Sequence, residues 1–195
     1  MAERYFEAAA GLGVVPDGAP AEVHTTPDDD RRARTLVGDA SYVALCPGAA
    51  HWNKRWPPAH WRTLAGALVQ RGHAVVGIGT AEERGLLDAP GVVSGFGVGL
   101  GVAAALLRGA RAAVANDSGL MHLATAVGTP VVALFGPTSP AFGYAPYRTR
   151  GLVVEHDLPC RPCSAFGGPH CPMRHHRCMI DLDPTRVTGA LAQLT

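Results

Sequence analysis

Lysine is nearly absent from this 195-residue chain, and charge of either sign is scarce: 17% of residues are charged and the formal net charge is +1. That balance excludes a broad nucleic-acid footprint, which needs cations clustered along one face. No apolar run approaches the roughly 20 residues of a membrane span, so any membrane contact is at most peripheral. The N-terminus, MAERYFEAAAGLG, lacks the basic-then-apolar pattern of a secretory signal. A cytoplasmic protein is the expectation. What the chain does have is 47% hydrophobic residues, 24 glycines and 16 prolines, the latter two falling mostly at turns. This is enough apolar material for a sizeable core, at a length that suits one domain with an appendage.

Helix and strand signals alternate along the chain. Residues 3–10 read as a short helix stopped near Gly11 and Gly13, residues 16–20 as a loop, and residues 22–24 as a short strand. Thr26-Pro27-Asp28 is a helix start, with a cap, a proline at the first position and acids at the positive end; the helix runs to Val37 and stops at Gly38. From residue 42 the period is regular. Strands are predicted at 42–46, 74–78, 92–93, 112–115, 131–135 and 152–155, and helices at 61–70, 82–87, 101–107, 120–127 and 184–194. About six strands alternating with helices imply an α/β fold, a Rossmann-like parallel sheet with helices on both faces. Residues 95–101, GFGVGLG, are not a dinucleotide loop: no G-x-G-x-x-G register fits, because Leu100 and Val102 occupy the third-glycine positions. They read as a strand-to-helix loop.

The chain is organised around Asn116 to Thr138, NDSGLMHLATAVGTPVVALFGPT. An apolar strand ends in the turn Asp117-Ser118-Gly119, a helix follows to Gly128, and Pro130 opens a second buried strand. The turn lies at the carboxyl end of its strand, where open α/β sheets bind ligands. The first helical turn offers unpaired N–H groups and the positive end of a dipole, which suits a phosphate. Gly119 allows close approach, Asp117 can accept from sugar hydroxyls, and His122 stands on the first turn. The same residues also fit an ordinary crossover with an Asp/Ser cap.

Other candidate pieces lie at the same edge. Residues 47–57, PGAAHWNKRWP, follow the first strong strand and carry Lys54 and Arg55. An ammonium there can neutralise a diphosphate; a solvated loop anchored by Trp52 and Trp56 is the alternative. Glu82 and Glu83 follow the next strand, where an acid can accept from ribose hydroxyls or simply face the helix dipole. Thr138 can donate to a phosphate or sugar oxygen, or belong only to a turn. Residues 160–178 hold Cys160, Cys163, Cys171 and Cys178 among His170, His175 and His176. The first pair has the C-x-x-C spacing of zinc ligands, and the second does not repeat it. A structural zinc and an unligated, packed loop both fit, and the packed loop is favoured. Cys46 reads as a buried strand residue.

The wording D-S-G-L-x-H-L-A-x-A-x-G-x-P, followed by L-F-G-P-T, closely resembles the donor-site signature of family 9 glycosyltransferases, the bacterial heptosyltransferases that build the inner core of lipopolysaccharide. The family also has a P-G-x-x-x-x-x-K-x-W-P segment, whose lysine lies against the donor phosphates and sugar and matches Lys54. Ala49 and Ala50 stand where some relatives have threonines. The family's ribose-binding acid falls at Glu82 or Glu83. The cysteine-rich tail is similar to that of the second enzyme type of the core pathway.

The resemblance implies the GT-B arrangement of two Rossmann-like domains. It makes residues 1–40 the end of the first domain and the linker, and residues 41–195 the C-terminal, donor-binding domain. It further implies inverting transfer of heptose from ADP-heptose to a lipid A-core acceptor, at the inner face of the inner membrane. Lys54 and Asp117 are then the catalytic candidates. Lys54, Glu82, Glu83, Asp117, Ser118, Gly119, Leu120, His122 and Thr138 are the donor-binding ones. No cofactor is required if helix amides and Lys54 carry the diphosphate charge. The general base, an aspartate of the family's first domain, has no match in this chain, so the chain alone is expected to bind donor weakly and transfer poorly. A different nucleotide-sugar enzyme of the same fold and a non-catalytic nucleotide-binding or interaction module are the alternatives.

Overall fold

The computed structural model describes residues 2–195, with side chains from Tyr5 onward. Helix α1 (Ala2–Ala9) leads through a glycine-rich turn and an extended stretch to α2 (Pro27–Val37). A repeating unit then begins: β1 (Tyr42–Cys46), α3 (Pro58–Gln70), β2 (Ala74–Gly79), β3 (Val92–Phe96), α4 (Leu100–Gly109), β4 (Ala112–Asn116), α5 (Gly119–Ala126), β5 (Val131–Phe135) and β6 (Gly151–Glu155). The chain closes with a short α6 (Arg177–Ile180) and α7 (Pro184–Ala192). The six strands form one sheet in the order β3-β2-β1-β4-β5-β6, every pair parallel.

This is the Rossmann-like sheet expected from the alternation, with helices on both faces. Strands β1, β4 and β5 are buried at every residue, which is why they read as unbroken apolar runs. Their side chains alternate between two cores. Val43 and Leu45 point to the layer of α3, α6 and α7, with Trp56, Trp61, Leu64, Leu68, Met179 and Leu191. Tyr42, Ala44 and Cys46 point to the layer of α2, α4 and α5, where alanine dominates: Ala33, Ala103, Ala104, Ala105, Ala113, Ala115, Ala124 and Ala133. One layer is thus built from bulky side chains and the other from close helix-to-sheet approach. Each Leu or Trp of α3 that leaves water contributes about 1.5–3 kcal/mol.

Helix α2 is fixed by a capping box. The Thr26 hydroxyl accepts from the Asp29 N–H at 3.2 Å, and the Asp29 carboxylate accepts from the Thr26 N–H at 3.0 Å. The Thr26 hydrogen bonds hold the Asp29 carboxyl below its ordinary value. Asp30 then joins Arg108 of α4 at 2.6 Å, and Ala33 enters the core.

Several local expectations are corrected. Residues 22–24 form no strand; the Val23 N–H makes a single bond to the Ala126 carbonyl at 3.0 Å. The segment after β2 is a 3₁₀ helix, Ala81–Leu87, whose start is capped by Thr80. Helix α3 begins at Pro58 rather than Trp61, because proline is at home in a first helical turn. The glycine-rich loop is shorter than expected, since β3 continues to Phe96 and α4 starts at Leu100.

Candidate functional site

The sheet order reverses between β1 and β4, so the loops leaving their carboxyl ends part and open a crevice. A cavity of about 310 Å³ lies there. It is lined by Gly48, Ala49 and Ala50 after β1, by Ile78, Gly79, Thr80 and Glu83 after β2, by Val98, Leu100 and Ala103 before and within α4, and by Ser118, Gly119 and Leu120 at the start of α5. Its walls are largely apolar, with the Glu83 carboxylate and the N-terminus of α5 among them.

Beside this cavity three buried polar groups meet. The Lys54 ammonium lies 2.6 Å from the Asp117 carboxylate, with the two side chains 13% and 3% exposed. The same carboxylate oxygen accepts from the Thr138 hydroxyl at 2.7 Å, and Thr138 is fully buried. Lys54 is the chain's single lysine. Asp117 and Ser118 do not cap the helix in the ordinary way. Asp117 is committed to Lys54 and Thr138, and Ser118, at the cap position, makes no side-chain cap bond. The Ser118 hydroxyl is buried without a hydrogen-bond partner among the described residues. Gly119 and Leu120, in the first turn of α5, carry N–H groups that a helix leaves unpaired. A side chain at Gly119 would meet nothing within 4 Å, so the space over the helix start is open.

The remaining predicted residues separate. Glu83 lies in the cavity, its carboxylate accepting from the Thr80 N–H at 3.0 Å and lying so close over Gly48 that any side chain there would overlap it. Glu82 points away and is exposed. Its own N–H and the Thr80 hydroxyl hold its carboxyl below the ordinary value. His122 stands one turn into α5, outside the cavity lining; desolvation lowers its pKa, with Asp117 pulling upward and Lys54 adding to the decrease. The Thr138 hydroxyl points at Asp117, placing it as an orienter of that carboxylate.

Two asparagines that the sequence reading passed over hold the site together. Asn116 is fully buried at the end of β4. Its amide donates to the carbonyls of Pro47 at 2.8 Å and Gly48 at 3.3 Å, and its oxygen accepts from the Trp56 N–H at 3.2 Å. It fastens both ends of the Lys54 loop to the strand that carries Asp117. Asn53 is 2% exposed and bonds to the cysteine-rich segment.

All five cysteines are free thiols. Burial pushes Cys46 up to about 12, that of an inert strand residue. Burial raises Cys163, and raises Cys178 to about 11. Cys171 is also desolvated, but the N–H groups of residues 173–176 outweigh that and lower its pKa. Cys160 lies 3.9 Å from the His175 ring. Among the described residues no three His, Cys, Asp or Glu side chains are disposed to hold a metal ion, so the residues as placed do not fit a structural zinc.

A doubly wound parallel sheet, with a helix start and a lysine–aspartate pair at its switch point, defines a Rossmann-like fold. A model of glycosyltransferase family 9 (heptosyltransferase) matches residues 1–169. The chain is 37% identical over 152 residues to lipopolysaccharide heptosyltransferase 1 of Pseudomonas aeruginosa, covering 73% of this chain and 42% of that protein. It is 30% identical over 222 residues to lipooligosaccharide heptosyltransferase 2 of Haemophilus influenzae, covering 100% of this chain and 62% of that protein. The structure of Escherichia coli ADP-heptose lipopolysaccharide heptosyltransferase II superposes with a TM-score of 0.71 at 28% identity, over 89% of this chain and 53% of that one. The chain belongs to glycosyltransferase family 9. It spans about half the length of the curated relatives it matches.

Proposed function

We propose that residues 41–195 are the donor-binding half of a GT-B glycosyltransferase that transfers heptose from ADP-heptose to a lipid-linked core sugar at the inner face of the inner membrane. Residues 1–40 are then the segment leading in from an acceptor-binding domain. The observation that carries this reading is the Lys54–Asp117 pair at the open start of α5, together with the Ser118 hydroxyl, buried without a partner among the described residues.

The chemistry follows from charge. Loss of ADP from the anomeric carbon leaves negative charge on the diphosphate. The Gly119 and Leu120 amides, the Ser118 hydroxyl and Lys54 are fixed donors aimed at that charge, in a site partly closed to water. Glu83, in the cavity wall, accepts from the ribose hydroxyls. Asp117 holds the lysine in place and offers a carboxylate to the sugar. Inversion requires a base and an acceptor on the opposite face of the anomeric centre, and these come from the acceptor-binding domain. The chain alone therefore binds donor but transfers poorly.

The test is calorimetric titration of the purified chain with ADP, ADP-heptose and UDP, alongside Lys54→Ala and Asp117→Ala. Binding of the adenine ligands over UDP, markedly weaker in both variants, is expected. Absence of binding to any ligand would return the chain to the reading of a non-catalytic module, and sugar transfer by the purified chain would refute the division of labour.

A further inference from the structure

The cysteine-rich segment reaches the site through one residue. Asn53 precedes Lys54, and its polar groups are spent on that segment. Its N–H donates to the Gly168 carbonyl at 3.2 Å, and its side-chain oxygen accepts from the Gly168 N–H at 2.8 Å. Its side-chain amide donates to the His170 carbonyl at 3.3 Å, and its own carbonyl lies 2.8 Å from the His176 ring nitrogen. His176 also stacks on Trp52 with ring centroids 4.4 Å apart. A second leg is steric. Gly167, at φ +99°, lies against the lysine stem, and a β-carbon there would sit 2.7 Å from the Lys54 Cδ and 2.8 Å from the His51 Cβ. The turn carrying Lys54 is therefore gripped on its backbone by residues 168–176 and on its side chain by Gly167.

We propose that residues 164–176 are a clamp that sets the position of the Lys54 ammonium, and that Asn53 is the positioning residue through which it acts. A flexible lysine on a surface loop samples many rotamers, and ordering it costs affinity when an anion binds. Fixing the peptide on one side and the methylene stem on the other removes most of that freedom before the ligand arrives. The clamp itself stands on these contacts; its consequence for ADP rests on the donor-site reading above.

The single lysine gives a direct readout. Reductive methylation with ¹³C-formaldehyde labels Lys54 and the chain's α-amine, and the Lys54 signal is identified by its loss in Lys54→Met. In the unliganded chain, Asn53→Ala and Gly167→Ala should each move the Lys54 methyl resonance toward its position in the denatured protein. Signals in both variants that coincide with wild type overturn the clamp, whatever ADP does. ADP affinity, measured by calorimetry, should fall about tenfold in Asn53→Ala, a loss of about 1.4 kcal/mol. In a Lys54→Met background the same substitution should cost nothing further; an equal additional loss would refute action through Lys54. A displaced resonance in a chain whose wild type ignores ADP would uphold the clamp and sink the donor reading. Gly167→Ala removes no Asn53 hydrogen-bonding group and acts instead through strain at φ +99° and overlap with the Lys54 stem, so it tests the idea even if Asn53→Ala fails to fold.

Discussion

Removing either partner of the Lys54–Asp117 pair should not be equivalent, and the asymmetry follows from burial. In Lys54→Met the Asp117 carboxylate, 3% exposed, keeps the Thr138 hydroxyl as its one side-chain hydrogen bond among the described residues. Breaking a buried pair in this way costs about 3–5 kcal/mol. The lysine side chain is 13% exposed, so water softens the loss and the lower end applies. For a domain of this size, about 3 kcal/mol corresponds to roughly 6–12 °C in Tm. In Asp117→Asn the buried charge itself is gone. Thr138 can still donate to the new amide oxygen, and the ammonium can swing on its stem toward solvent, for a cost of about 1 kcal/mol. The double variant should then resemble Asp117→Asn alone, giving a coupling energy of about 3 kcal/mol. Urea unfolding of the four proteins at neutral pH measures all of these terms, provided the m-values agree. A Lys54→Met stability within about 0.5 kcal/mol of wild type, or a variant order reversed from this one, would refute the placement of a buried ion pair at the site.

Three further outcomes are expected. Gly119→Ala meets no atom within 4 Å, so stability should hold or rise by roughly 0.5–1 kcal/mol, while a methyl over the helix start lowers ADP affinity at least tenfold; parallel melting and titration separate the two effects. Glu83→Gln should weaken ADP and leave inorganic pyrophosphate binding unchanged, whereas Glu82→Gln alters neither, as competition titrations with both ligands would show. Burial holds His60 and His176 below the ordinary histidine value of 6.5, so the unfolded chain takes up protons there before the folded chain does. Stability should therefore be full above about pH 6.5 and fall as pH drops below it, and His176→Gln should flatten that decline between pH 7.5 and 5.5 in urea titrations.

The parallel sheet was legible because its strands are buried on both faces and punctuated by glycine and proline. Residues 131–135 illustrate this, matching β5 at both ends. The failures have physical reasons. Residues 22–24 alternate like a strand but have no sheet edge to join. Helix α6 follows His176, a residue with left-handed backbone, and no periodic pattern announces four residues. Within the site, Asp117, Ser118 and Gly119 stand at the junction of two strong elements, and the loop carrying Lys54 follows β1 at the same sheet edge, so that their nearness could be read from order. That Glu83 rather than Glu82 enters the cavity was also written in the chain. Thr80-Ala81-Glu82-Glu83 has capping-box spacing, which turns the second acid back over its own helix start. Asn116 left a fainter trace, a polar residue ending an apolar strand, where burial obliges every hydrogen bond to be met. Asn53 left none, because its partners are more than a hundred residues away.

The two cores on either side of the sheet should respond to change in opposite ways. The layer under α3 and α7 is filled by Trp56, Trp61 and leucines, so shortening a side chain there opens a void, and its sensitive substitutions are losses of volume. The layer under α4 and α5 is held close by alanines, which have almost nothing left to remove. There a single added methylene must push a helix off the sheet. Because α4 helps wall the cavity and α5 opens onto it, an enlargement at Ala104 or Ala124 would be felt at the cleft as a change of width. Enlargement at Ala104 or Ala124 thus retunes the aperture of this pocket without touching a residue that lines it.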